Sequence, residues 1–171
     1  MSILLFELLM ILITVIIVGY MKMSGQKEVM KKFGLMLIAV LLFYIMSEPM
    51  WINQGLDSWA YLYGNVSWVL AFGWASIFFL TFLIVDNGFK KMLEKDKFWL
   101  YLLVATILTV PAESLILKLG IRSYAPVLSE TFSGLMIPLT HVPVEILLAT
   151  PIITALIIPF YKYMLDHLNK K

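Results

Sequence analysis

The sequence predicts an all-α fold, a polytopic membrane helical bundle of about five transmembrane helices. Three observations carry that prediction. The 171 residues are 61% hydrophobic and 14% charged, with a mean hydropathy of +0.92, too little polar surface to cover a soluble globule. Several apolar runs reach the ~20 residues that cross a hydrocarbon core. The lysines gather in alternate connections, where basic residues fix orientation.

The first span is expected over about residues 3–21. No basic residue precedes it and no small-residue cleavage site follows, so it reads as a retained helix rather than a signal peptide. Lys22, Lys27, Lys31 and Lys32 come next, then a second span over about residues 33–51. The connection 52–64 has no lysine or arginine. A third span covers about residues 65–85 and is followed by Lys90, Lys91, Lys95 and Lys97. The fourth covers about residues 98–117, and the stretch 118–130 after it holds only Lys118 and Arg122 as bases. The last apolar stretch starts near Thr131 and continues to Tyr163. It is expected as one long helix, kinked by Pro138, Pro143, Pro151 and Pro159 and opening along the outer surface. A sixth crossing would place the lysine-rich tail outside. The charge pattern therefore expects an integral protein of the cell membrane, N-terminus outside and C-terminus cytoplasmic.

An internal offset of 65 residues relates Glu48, Gly55, Ser58, Trp59 and Ala60 to Glu113, Gly120, Ser123, Tyr124 and Ala125, and Lys32-Phe33 to Lys97-Phe98. The spans would then form a parallel tandem helix-pair repeat, about 33–86 and 98–151, related by an axis along the membrane normal. Residues 1–171 form a single transmembrane domain in this reading: an extra N-terminal helix in 1–30, one repeat in 31–95 and the other in 96–165.

Carboxylates are expensive in hydrocarbon, so those within the spans are the candidates for chemistry. Glu145 lies about fourteen residues past the expected start of its span, near mid-bilayer. An acid sequestered from water favours its neutral form, which suits a general acid and equally a purely structural hydrogen-bonding partner. His141 precedes Glu145 by four residues, on the same face if the helix is regular, as a proton relay or as a structural partner. Glu48 and Glu113 sit near the outer interface, each beside a proline, either in a shared cavity or as helix-end carboxylates reaching water. All three glutamates are expected to point into the bundle, with Glu113 and Glu145 facing one pocket. Trp59, Trp68, Trp74 and Tyr124 are candidate substrate-binding faces, Trp68 and Trp74 on a helix opposite Glu145, although an interfacial aromatic belt explains such residues too. Gly73 and Gly134 read as close-packing positions, Asp57 and Arg122 as an exposed pair, and Glu7 as snorkelling outward.

No phosphate loop, hydrolase triad order, zinc-protease motif or dinucleotide fingerprint occurs, so neither cofactor nor metal is expected. A net charge of +2 gives no argument for nucleic acid. The expected partners are membrane lipids and a lipid-soluble small-molecule substrate, with homo- or hetero-oligomerisation open.

Glu113, Gly120, Tyr124, Gly134 and Pro143-Val144-Glu145, with Glu48, Gly55, Trp59 and Gly73 in the first copy, resemble the integral membrane lycopene cyclase domain family of archaea, actinobacteria and fungi. The resemblance covers roughly residues 33–165. It implies an isomerase acting on an isoprenoid or carotenoid by non-redox acid–base chemistry, protonating a polyene end and closing a ring. The chain departs from the family at Ile146, where a second glutamate is usual, and at Leu80, where the first copy would carry one. Two other readings stand beside it: a small proton-coupled transporter or lipid-binding protein, and a non-catalytic membrane subunit.

Overall fold

In the computed structural model, residues 2–170 are described. Five helices, α1 (Ile3–Met23), α2 (Val29–Met46), α3 (Trp68–Gly88), α4 (Glu94–Lys118) and α6 (Val144–Asn169), are long and apolar enough to cross a membrane. A one-turn helix, α5 (Pro126–Ser129), lies in the last connection. The hydroxyl oxygens of Ser2 and Ser67 cap α1 and α3, accepting from the backbone N–H of Leu5 and Leu70 at 3.3 and 3.2 Å. Leu4, Leu8, Leu12 and Ile16 on α1 and Leu148, Ile152 and Leu156 on α6 stand exposed, as lipid-facing side chains do. The chain is an integral membrane protein built as an α-helical bundle.

The helix α3 forms the hub, packed against α1, α2 and α4; α4 packs on α6, and α6 returns to α2. Four helices thus close a ring, and α1 leans on its outside along α3. A side chain at Gly73 would bring its Cβ within 3.1 Å of Met10 Sδ, so the missing Cβ lets α1 approach there. Beside it the Ser76 hydroxyl donates to Thr14 Oγ1 at 2.9 Å, a hydrogen bond between two helices where no water competes.

At the end where α2 runs into α3 and α4 into α6, the two long connections bind each other. The strand β1 (Trp51–Asn53) pairs antiparallel with β4 (Arg122–Tyr124), setting Trp51 opposite Tyr124 and Asn53 opposite Arg122. A second ribbon joins β2 (Tyr61–Tyr63) to β3 (Val66–Ser67). Beneath them Trp51, Val142 and Ile146 form a small core of their own, with Tyr124 and Phe132 packed on it. At the opposite end Glu94 accepts from both Lys97 and Lys162 at 2.8 Å, and Lys97 lies 3.6 Å from Asp86, tying α3, α4 and α6 together.

Two expected boundaries are corrected. The second span stops at Met46 rather than 51, because Pro49 has no donor to continue the ladder; a 3₁₀ turn (Glu48–Met50) leads into β1. The last span begins at Val144 rather than near Thr131. Gly134 takes φ +82°, Met136 bridges to Pro143, and Pro138 and Pro143 withhold two N–H groups, so 130–143 is a folded connection. From there α6 runs on through Pro151 and Pro159 as one helix.

Candidate functional site

The geometry of this site begins with a turn. After α4 the chain reverses at Gly120, whose φ of +69° is open to glycine and strained for other residues. The strand β4 that follows is held by β1, and this pairing carries Arg122 inward until it is 5% exposed. Its guanidinium Nη1 donates to Glu113 Oε2 at 2.9 Å, and its Nε donates to Asn53 Oδ1 at 2.9 Å. The rings of Trp51, Tyr44 and Trp74 surround it, with centroids 5.0, 5.3 and 5.7 Å from its central carbon. Burial pulls the guanidinium down to about 10, still well above neutrality, so it stays a cation. Glu113 is 4% exposed and accepts on its other oxygen from the Tyr124 hydroxyl at 3.3 Å. Burial pushes the Tyr124 phenol up, which keeps it a neutral donor.

The hydrogen bonds continue outward. Asn53 donates its side-chain amide to the carbonyl of Asn65, and Asn65 donates its own amide to Glu48 Oε1 at 2.9 Å. Glu113, Arg122, Asn53, Asn65 and Glu48 therefore form one chain. Glu113 and Glu48, matched at the 65-residue offset, both belong to it, one inside the bundle and the other half-buried in the cap.

Below Arg122 lies a hollow of about 70 Å³ between α2, α3, α4 and α6, room for a few waters or the end of a slender apolar group. Its wall includes Val40, Phe78, Ile153 and Ile157, and its polar end is formed by Tyr44, Glu113 and Arg122. The Thr109 and Thr150 hydroxyls in the wall are turned to carbonyls of their own helices, Ala105 and Ile146.

Of the predicted site residues, Glu113, Tyr124 and Trp74 come together here. Glu145 does not join them. It stands in the first turn of α6, because that helix starts at Val144, and its Oε1 accepts from the Ser133 N–H at 2.7 Å. The expected shared pocket for Glu113 and Glu145 is thus corrected: Glu113 alone of the three glutamates lines the hollow. His141 is exposed in the preceding connection, which removes the four-residue helical register proposed for it with Glu145. Trp59 and Trp68 pair edge to face at 5.3 Å, and the Trp68 indole donates to the Trp59 carbonyl, away from the hollow. Gly134 serves a turn, and a Cβ there would meet nothing within 4 Å, so it is not a packing position.

Two further expectations fail for one reason, the folding-in of the outer connections. Arg122 does not pair with Asp57, since β1 presents Asn53 to it and α4 presents Glu113. Glu7 does not snorkel: it is fully buried, and its Oε1 accepts the Asp57 N–H at 2.7 Å. Sequence reasoning missed Arg122, Tyr44, Trp51 and Asn53. A signal existed for the first, because Arg122 is the single arginine in a chain with twelve lysines and stands on the lysine-poor side. A planar fork that holds a carboxylate and an amide at once is work lysine cannot do.

No family model, curated protein or solved structure matches the chain.

Proposed function

We propose that this membrane protein takes a lipid-soluble molecule of isoprenoid type into the hollow between α2, α3, α4 and α6, and acts on it by non-redox acid–base chemistry at Glu113. One observation carries the reading: an apolar hollow within the helical layer ends on a carboxylate and a cation that hold each other. Phe43, Val110 and Ile153 in its wall are only half-buried, which gives an apolar molecule a way in from the side. Aromatic rings at the polar end favour a substrate that develops positive charge. Glu113, bonded on both oxygens yet lining the hollow, is the group in position to exchange a proton there.

The basic connections argue for the cell membrane, with the N-terminus outside and the C-terminus cytoplasmic. We also read the ring of helices as two copies of one helix pair. Support comes from the 65-residue offset and from Gly55 and Gly120, matched in the motif and both left-handed at φ +87° and +69°.

Cells that make lycopene provide the test. Ring closure twists the terminal double bond out of the polyene plane or takes it out of conjugation, so expression of the protein should move the extracted pigment to shorter wavelength, and Glu113→Gln should abolish the shift. An unchanged spectrum with the unaltered protein would remove polyene cyclisation. A second reading, a non-catalytic subunit, is favoured by the hydrogen-bond chain from Glu113 to Glu48, which uses both acids to tie elements together. It predicts that the apolar double variant Glu113→Leu/Arg122→Met folds and keeps whatever activity the cell requires.

A further inference from the structure

We infer that the hollow selects a ligand by a neutral oxygen head, a carbonyl or a hydroxyl, held by Arg122 and Tyr44. The inference rests on the binding reading above and specifies its substrate class. The polar atoms of the wall decide it. Arg122 uses Nη1 on Glu113 and Nε on Asn53, while Nη2 is buried with no partner. The Tyr44 hydroxyl is likewise buried and unpartnered, and its ring lies 5.3 Å from the Arg122 central carbon. Both residues are about nineteen-twentieths buried, and both line the hollow.

The remaining side-chain oxygens of the wall are already bonded: Glu113 to Arg122 and Tyr124, Thr109 and Thr150 to backbone carbonyls. What stands open in the wall of this hollow is therefore donor capacity, including the Arg122 Nη2 N–H groups and the Tyr44 O–H. Leaving buried donors unmade is costly, and one acceptor oxygen placed between them would satisfy both.

Charge then separates the acceptors. The Arg122 cation is matched by Glu113 at 2.9 Å, so the polar end is neutral as it stands. A carboxylate or phosphate head would add an unmatched negative charge to an apolar enclosure beside an existing carboxylate. A carbonyl or hydroxyl brings the acceptor without the charge. The small volume admits a slender head and its first carbons, with the rest of the chain lying along Ile153 and Ile157. An isoprenoid alcohol, aldehyde or ketone has that shape and chemistry, whereas a hydrocarbon polyene such as lycopene meets the apolar wall but leaves the two donors open and should bind more weakly.

Retinal, retinol and retinoic acid share one polyene and differ only at the head. The full-length protein in lipid nanodiscs would be titrated with each under alkaline conditions that ionise the acid. The readout is energy transfer from tryptophan, since Trp51 and Trp74 both line the hollow. Retinal and retinol should bind at least about tenfold more tightly than retinoate. Tyr44→Phe should weaken retinal several-fold and leave retinoate unchanged. This variant folds safely, because the hydroxyl it removes bonds to nothing in the protein, and its ligand-free melting temperature should equal or exceed that of the parent. Retinoate binding as tightly as retinal, or an indifferent Tyr44→Phe, would overturn the head-group inference and leave the apolar site standing. Failure of all three to bind would remove the binding reading itself.

Discussion

Arg122 and Glu113 are buried at 5% and 4% exposure and hold each other at 2.9 Å. A buried pair of this kind is costly to break from one side, because the survivor is left charged and alone. Glu113→Ala should destabilise the protein by about 3–5 kcal/mol, and Glu113→Leu/Arg122→Met should recover most of that loss. Arg122→Lys keeps the charge but not the fork. It forfeits the Asn53 bond and the stacking on three rings, at a cost of about 2 kcal/mol. Resistance to detergent-induced unfolding measures each variant, and a double variant as weak as Glu113→Ala would refute the pairing argument. These partners were hidden in the sequence because Arg122 meets Asn53 across 69 positions. Reading residue 122 as exposed was reasonable for a polar loop and wrong for one that a strand pair turns inward.

At the level of elements, the connections decide more than the helices do. Helix spans were legible because hydrophobicity is a local property that twenty residues express by themselves. The ends were less so: a proline just past α2 and two before α6 end or delay helices in ways that an average over apolar residues passes across. Glu145 shows the consequence, since moving the helix start from 131 to 144 takes it from mid-span to the first turn. The turns at Gly55 and Gly120 adopt φ +87° and +69°, and Gly55 also faces the Gly120 carbonyl, at 3.4 Å from an added Cβ. Alanine at either should cost about 1–2 kcal/mol through backbone strain. Alanine at Gly19 or Gly34, helical and with nothing within 4 Å, should be neutral or stabilising by up to about 1 kcal/mol. Unfolding curves of the four variants test this, and equal effects at all four would exclude a turn-specific origin.

Across the whole molecule, α3 is the most enclosed span and α1 the least, with 61% and 17% of their apolar windows buried, so α1 presents most of its surface to lipid. Five crossings place the two termini at opposite ends. The outer cap and the lysine-rich connections can be told apart directly, because the chain has no cysteine and a single introduced thiol carries no background. Ser58→Cys should react with a membrane-impermeant maleimide in intact cells, and Lys91→Cys only after permeabilisation. The reverse pattern would invert the proposed orientation.

By itself the sequence determined that this chain carries five apolar spans long enough to cross a membrane, and it singled out Glu113 within one of them, while it set Glu145 too deep and Glu7 too shallow. Those properties follow from transfer free energies that add up along short stretches of chain. Tertiary structure alone decided which of those acids acquires a cation, that the cation comes from a loop, and that a hollow opens beneath it. The pairing of β1 with β4 brings together residues that no local pattern links, and only the closed ring of helices leaves the space they border.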